Sequence, residues 1–398
     1  MSAPRLFVIW LTVFIDLLGF GIIMPILPGF AQRFGAHGIG YGALISAFSL
    51  MQFLSTALLG RLSDRIGRRP ILLTTMVLNA GGYVLFAYAP SYGLLLLARL
   101  VSGFAGGNIS AAQAYVADIT TGAERSKGMG LIGMAFGLGF TAGPGIGHLA
   151  VALGGDAAPG LVAAALSLIN FVSASFILPE SLRDEHRIAR EVWPFRHMAE
   201  ALAHPELRPL MLVWAIAPFA FAGYTVALPL WAGARLGWKT AELGTFFIIV
   251  GLVAASVQGG LFRVLTRKFG DRKLLIAGML GMAVSIGVVP FLGTTRAVYA
   301  WTVVLAFSNS IMAPAATGLV STFAAANEQG TVLGVAQSLA ALGRATGPYL
   351  IGGVYDWASS LAAFLVAAGA MLAGWVASLG VSKASGSGRA SGQAAASG

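Results

Sequence analysis

Gly60-Arg61-Leu62-Ser63-Asp64-Arg65-Ile66-Gly67-Arg68-Arg69-Pro70 puts four arginines into eleven residues between two stretches apolar enough to cross a bilayer. A short basic connection in that setting orients a membrane protein. With 57% hydrophobic and only 10% charged residues, the chain cannot be wrapped around one soluble core without exposing large apolar surface. The predicted class is an all-α polytopic membrane protein. The formal net charge of +10 sits beside apolar segments, so it reads as an orienting signal and not as a nucleic-acid surface. The chain has no cysteine, which excludes disulfides and thiolate sites, and its five histidines lack metal-ligand spacing. No cofactor is expected. The first apolar segment starts within about five residues of Met1 and has no small-residue cleavage site, which predicts a retained helix and not a signal peptide.

Runs of about 20 apolar residues predict twelve spans, near 5–27, 41–62, 71–89, 93–117, 127–150, 158–179, 208–232, 240–262, 272–293, 296–320, 331–354 and 357–380. An even number puts both termini on one side. If that side is cytoplasmic, all 25 Lys and Arg residues fall there except Arg33, Arg235, Lys239 and Arg296 outside and Arg99 and Arg344 within spans. The expected organisation is a six-helix unit over 1–179, a polar cytoplasmic linker over 180–207, a second six-helix unit over 208–381 and a low-complexity tail over 382–398. Gly139-Phe140-Thr141-Ala142-Gly143-Pro144 recurs as Gly343-Arg344-Ala345-Thr346-Gly347-Pro348. Gly67-Arg68-Arg69 returns as Gly270-Asp271-Arg272, and Arg33-Phe34-Gly35 as Arg235-Leu236-Gly237. The near-equal offsets, 202 to 204 residues, argue for a duplicated unit around a central cavity.

Asp16 lies near the middle of the first span among apolar neighbours. An Asp at a helix centre costs about 2.5 to 3.5 kcal/mol on insertion scales, so it faces a cavity or a partner. Either it exchanges a proton or contacts substrate, or it is a permanent structural pair. Arg344 lies mid-span with no acid in its own segment; it pairs across the cavity, with Asp16 one conceivable partner, or meets an anionic group of a substrate. Gln52, Asn79, Asn108, Gln113, Tyr224, Gln258, Asn309 and Gln337 are polar positions within spans, either pathway lining or helix-to-helix glue. No nucleophile-base set or acid pair is visible in the spans, so an enzyme is not expected.

The opening stretch resembles the cytoplasmic loop signature of the major facilitator superfamily, with Gly60, Asp64, Arg65, Gly67, Arg68 and Arg69 at its informative positions. The resemblance implies a twelve-helix fold of two pseudo-symmetric halves. It also implies a cytoplasmic gate in which Asp64 caps a helix of the other half and Asp118 pairs with Arg65 or Arg68. Asp16-Leu17-Leu18-Gly19-Phe20-Gly21, continuing to Pro25 and Pro28, resembles the first helix of the drug:proton antiporters, and more narrowly of the tetracycline efflux proteins. Arg99, with Gly103 and Gly106 behind it, is similar to the fourth-helix arginine that the family associates with proton coupling; a clamp between helices is the other reading. Gly139, Gly143, Pro144 and Gly147 resemble the fifth-helix antiporter signature, with His148 in place of its last glycine.

Similarity to the tetracycline branch extends to Met51-Gln52-Phe53-Leu54, Tyr115 to Thr120, Lys268-Phe269-Gly270 and Ile276 to Met279. It fails where that branch has a helix-nine acid, since Leu280 to Ser285 has none, and a helix-eight histidine, since Gly251 to Ser256 has none. The resulting expectation is a monomeric, proton-coupled exporter of small amphiphilic molecules in the cytoplasmic membrane. The rivals are a lipid or glycolipid flippase, a uniporter of an anionic amphiphile, and a membrane sensor that does not transport.

Overall fold

The computed structural model describes residues 3–120, 122–182, 203–323 and 329–381. The expected linker, apart from its first and last few residues, and the tail over 382–398 lie outside the described residues. Everything described is helix or short connection. The helices are α1 (Ala3–Ile23), α2 (Leu27–Arg33), α3 (Gly38–Ile66), α4 (Arg68–Ala87), α5 (Tyr92–Ala105), α6 (Ile109–Ile119), α7 (Gly122–Gly154) and α8 (Ala158–Ile177). After them come α9 (Arg208–Leu236), α10 (Thr240–Ser256), α11 (Phe262–Phe269), α12 (Asp271–Val288), α13 (Thr295–Phe323), α14 (Gln329–Trp357) and α15 (Ser360–Leu379). Ten described helical segments are long and apolar enough to cross a membrane. Beside them run α7, of 33 residues, and α14, of 29.

Several boundaries differ from the expected spans for local reasons. The first helix stops at Ile23 and resumes as α2 because Pro25, without an N–H, cannot continue the backbone ladder. The fourth span is broken at Gly106-Gly107-Asn108, a 3₁₀ turn between α5 and α6. The basic stretch that opens the reading is mostly helix: α3 runs through Ile66, and Gly67, at φ 123°, is the one residue between it and α4.

Within the first set of helices, α1 packs on α7 and α8, and α4 on α5 and α8. In the second set α9 packs on α14 and α15, and α12 on α13 and α15. The sets meet where α3 lies on α14 and α7 on α10. At the end remote from Gly60–Pro70, α3 and α14 touch through backbone, because Gly38 faces the Gly352 carbonyl and Gly42 the Pro348 carbonyl. Asp356 of α14 caps α3 there, accepting from Gly38 N at 2.8 Å and Ile39 N at 2.7 Å. At the loop end, Gly259, Gly260 and Gly334 face open space and Gln258 is exposed. At the far end the two sets are in direct backbone contact.

Candidate functional site

Asp16 reaches inward from α1 and is met by two amides. Asn79 Nδ2 of α4 donates to Asp16 Oδ1 at 3.0 Å, and Asn108 Nδ2 donates to Asp16 Oδ2 at 2.7 Å and to Thr75 Oγ1 at 3.2 Å. The break at Gly106–Asn108 aims Asn108 at the carboxylate, so the irregular turn has a use. Tyr83 Oη stands 3.5 Å from the Asp16 carbonyl. Among the described residues no Lys or Arg forms an ion pair with Asp16. The Oδ1 atoms of Asn79 and Asn108 are buried with no donor. Each amide therefore spends its donor on the carboxylate and keeps an acceptor in reserve.

The α1 helix is held by small residues of α7. Added Cβ atoms at Gly139, Gly143 and Gly147 would run into Leu17 and Leu18, Gly21, and the Ile22 carbonyl, so the glycines and Pro144 let the α7 backbone lie directly on the helix that carries Asp16. His148 sits farther along, against Gly244 of α10.

Arg99 does not pair with Asp16. It is 2% exposed, donates from Nε to the Leu44 carbonyl at 3.3 Å, and lies 4.6 Å from the Phe48 ring centroid and 5.4 Å from that of Phe20. Aromatic faces substitute for a carboxylate there, and its Nη2 is buried without a partner. Arg344, on α14, makes no ion pair or hydrogen bond among the described residues and is partly exposed, so the conceivable bridge to Asp16 is not formed.

At the loop end Arg68 is the hub. It pairs with Asp64 one turn back, places Nε 3.3 Å from Asp118 Oδ2, and donates from Nη1 to Ser63 Oγ at 2.7 Å. Asp118 thus takes Arg68 and not Arg65, and Asp64 faces Arg68 instead of capping a helix of the second set. Glu180 is the residue that sequence reasoning missed: it accepts from Arg68 N at 2.9 Å and Arg69 N at 3.2 Å and so caps α4. Its signal was an acid directly after Pro179 at the end of a span.

The remaining candidates divide. Gln52 donates to the Gly106 carbonyl at 3.2 Å, as glue between α3 and the broken span. Tyr224 is enclosed by Phe221, Phe246 and Phe364 with its hydroxyl unpartnered, inside the packed core of the second set. Gln113 and Gln337 are exposed, and Asn309 is half-buried. No group of three or more His, Cys, Asp or Glu residues that could hold a metal occurs among the described residues.

The Major Facilitator Superfamily model matches residues 9–264 and 261–396. The class C tetracycline resistance protein of Escherichia coli is 31% identical over 372 residues, which cover 90% of this chain and 91% of that protein. Major facilitator superfamily domain-containing protein 10 of Homo sapiens is 31% identical over 421 residues, covering 92% and 90%. Among solved structures, the human organic anion transporter MFSD10 (TETRAN) superposes with a TM-score of 0.73 at 26% identity, over 95% of this chain and 99% of its own.

Proposed function

The chain belongs to the Major Facilitator Superfamily, a multi-pass membrane transporter and not an enzyme, and on that footing we propose that it exports small amphiphilic molecules against proton entry by alternating access. The observation that carries the proposal is Asp16: a mid-span carboxyl held by two amides and by no cation. A carboxylate locked to arginine would stay charged. One held by Asn79 and Asn108 is served in both states, since an amide that rotates offers its oxygen to the protonated carboxyl as it offered N–H to the anion. The buried, unpartnered Oδ1 atoms fit that second use.

On this reading α7 and α14 are also spans, which with the ten gives twelve, in two units over 1–179 and 208–381. The positive residues support a cytoplasmic side for both termini and the Gly60–Pro70 connection, and on this reading the backbone contact of α3 with α14 closes the outer end of a monomer. The Asp64, Arg68 and Asp118 network holds the cytoplasmic ends of α3, α4 and α6 together, and Pro25 and Pro144 lie where bending is cheapest. One inward proton supplies about 2.3 kcal/mol per 100 mV of membrane potential. The tetracycline resistance relatives support an exported drug-like cargo.

A second reading is favoured by Arg344, a cation inside the transport fold without a partner among the described residues, and by the organic anion transporter among the solved structures it resembles: a uniporter of anionic amphiphiles. Inside-out vesicles with an imposed pH gradient separate the two. The antiporter predicts that a compound from a panel of lipophilic cations, tetracycline, phenicols and anionic amphiphiles drains the gradient in the wild type and not in Asp16→Asn. Uptake of a labelled anionic amphiphile with the gradient intact would replace the antiporter with the uniporter.

A further inference from the structure

We propose that the outer seam between α4 and α8 binds one anionic phospholipid, headgroup at the loop end and acyl chain along the seam. A cavity of about 620 Å³ opens at that end between Arg5 of α1, Arg69 at the start of α4 and the last turn of α8. Its charge is unbalanced. Arg5 makes no ion pair or hydrogen bond among the described residues. Arg69 donates from Nη2 to the Ser175 carbonyl at 2.7 Å and keeps a buried Nε with no acceptor. Glu180 is the acid lining this cavity, and its oxygens are already taken by the backbone N–H groups of Arg68, Arg69, Ser181 and Leu182. Two guanidiniums, one of them with an orphaned Nε donor, therefore share this space with a single carboxylate whose acceptors are occupied, leaving a net positive charge and a free donor that a phosphate diester would meet.

A second, independent feature says what the phosphate is attached to. A separate apolar groove of about 850 Å³ runs along the outer face of α4 one turn deeper, with Phe171 of α8 on one side and Val101 of α5 on the other. Arg69 and Pro70 continue along α4 as Leu73, Val77, Gly81 and Leu85, and Ser175 is four residues from Phe171 on α8. From Leu73 to Leu85 the helix rises about 18 Å, the depth of one leaflet of a hydrocarbon core about 30 Å thick. Phe176, 87% exposed, and Ile177, 45% exposed, sit at the rim and mark it as lipid-facing. A basic pocket at the bilayer surface that opens into an apolar channel has the shape and polarity of an anionic lipid. The site does not depend on what is transported, since it lies on the outside of the bundle.

Native mass spectrometry of the full chain in detergent tests this with dioleoyl phosphatidylglycerol, phosphatidylcholine of the same chains, and glycerol 1-phosphate as a headgroup without chains. The wild type should retain one phosphatidylglycerol in preference to phosphatidylcholine. Arg5→Gln, which removes a side chain with no bonds to break, should need about fivefold more, the factor one basic residue contributes near an anionic surface. Gly81→Trp, built into a position with nothing within 4 Å, should cost as much by blocking the groove with every charge in place. Equal retention of the two lipids, or no effect of Arg5→Gln, overturns the proposal. So does glycerol 1-phosphate competing at the lipid's own concentration while Gly81→Trp is silent, which would make this a site for soluble phosphate.

Discussion

Three short motifs recur between residues 3–177 and 208–379 at an offset near 203, yet positions related by that offset carry opposite chemistry. The offset that carries Gly67 to Gly270 carries Asp16 to Phe219, Asn79 to Met282 and Asn108 to Ile311. Where the first set has a carboxylate held by two amides, the second has a ring and two buried aliphatic side chains, Met282 at 0% and Ile311 at 5% exposure. The reverse holds in the glycine-proline segments, where Arg344 stands at the position of Phe140. The backbone contacts are alike in the two sets, glycine on backbone at Gly143 and again at Gly347. The polar groups differ, so that one set holds a carboxylate between two amides and the other presents an arginine with no ion pair among the described residues.

The largest expected effect breaks this asymmetry at its centre. Asp16→Asn keeps the shape and one of the two accepted hydrogen bonds, the other being met only by an amide turned over to present its oxygen; it cannot change charge, and it should lower substrate-driven proton entry by about 100-fold, the low end of what a positioned proton-transfer group contributes. Adding Phe219→Asp to that variant should not restore transport, because Met282 and Ile311 offer a carboxylate no donors. Recovery of proton entry in the double variant, read by dye fluorescence in vesicles, would show the two sets to be interchangeable. Next in size, Asn108→Leu removes the shorter of the two bonds to Asp16. A lost hydrogen bond to a charged group is worth about 1.5 to 3 kcal/mol, so transport rates should fall tenfold or more, whereas the volume-conserving Met282→Leu in the second set should leave them nearly unchanged.

Packing gives a third test, read by thermal unfolding in detergent. A Cβ on Gly143 would lie 2.7 Å from both Gly21 Cα and the Leu18 carbonyl, so Gly143→Val should destabilise by about 1 to 3 kcal/mol as α1 is pushed off α7. Two residues on, a Cβ at Gly145 would meet only Ile248, at 3.6 Å, an ordinary contact. Gly145→Ala should be neutral or stabilising by about 0.5 to 1 kcal/mol.

How far the sequence could be read follows the same division between backbone and side chain. Spans were legible because a bilayer demands long apolar runs, and Gly67 and Gly139 to Gly147 because close approach and positive φ leave few residue choices. Asp16 was legible by its cost, a charge in an apolar helix. Its partners were not: Asn79 and Asn108 looked like many other polar residues in spans, and nothing in one dimension says that α4 and the break at Gly106–Asn108 converge on α1. For Arg99 the partners were equally illegible, since the sequence left proton coupling and a clamp between helices open, and the contacts are with Phe48, Phe20 and a carbonyl. Tyr224 and Gln52 show that polar residues in spans serve packing as readily as a pathway.

The smallest expected effect concerns the two carboxylates that cap helix starts at opposite ends. Glu180 caps α4 from the loop end and stays within the first set, whereas Asp356 reaches from α14 of the second set to Gly38 and Ile39 at the start of α3. Only the Asp356 cap has to break if α3 and α14 part at the far end. Losing the charge while keeping an acceptor weakens such a cap by about 1 kcal/mol, in an exposed position where solvent competes, which corresponds to about a fivefold shift in population. The chain has no cysteine, so a single thiol placed at Ile45, 3% exposed on the same stretch of α3, reports opening without background. Asp356→Asn should raise its maleimide labelling rate about fivefold by this arithmetic, and Glu180→Gln should leave the rate alone. If both variants raise it equally, the effect of Asp356→Asn does not come from the cap across the sets, and the far end is held by the backbone packing of Gly38 and Gly42 on α14 and not by that carboxylate.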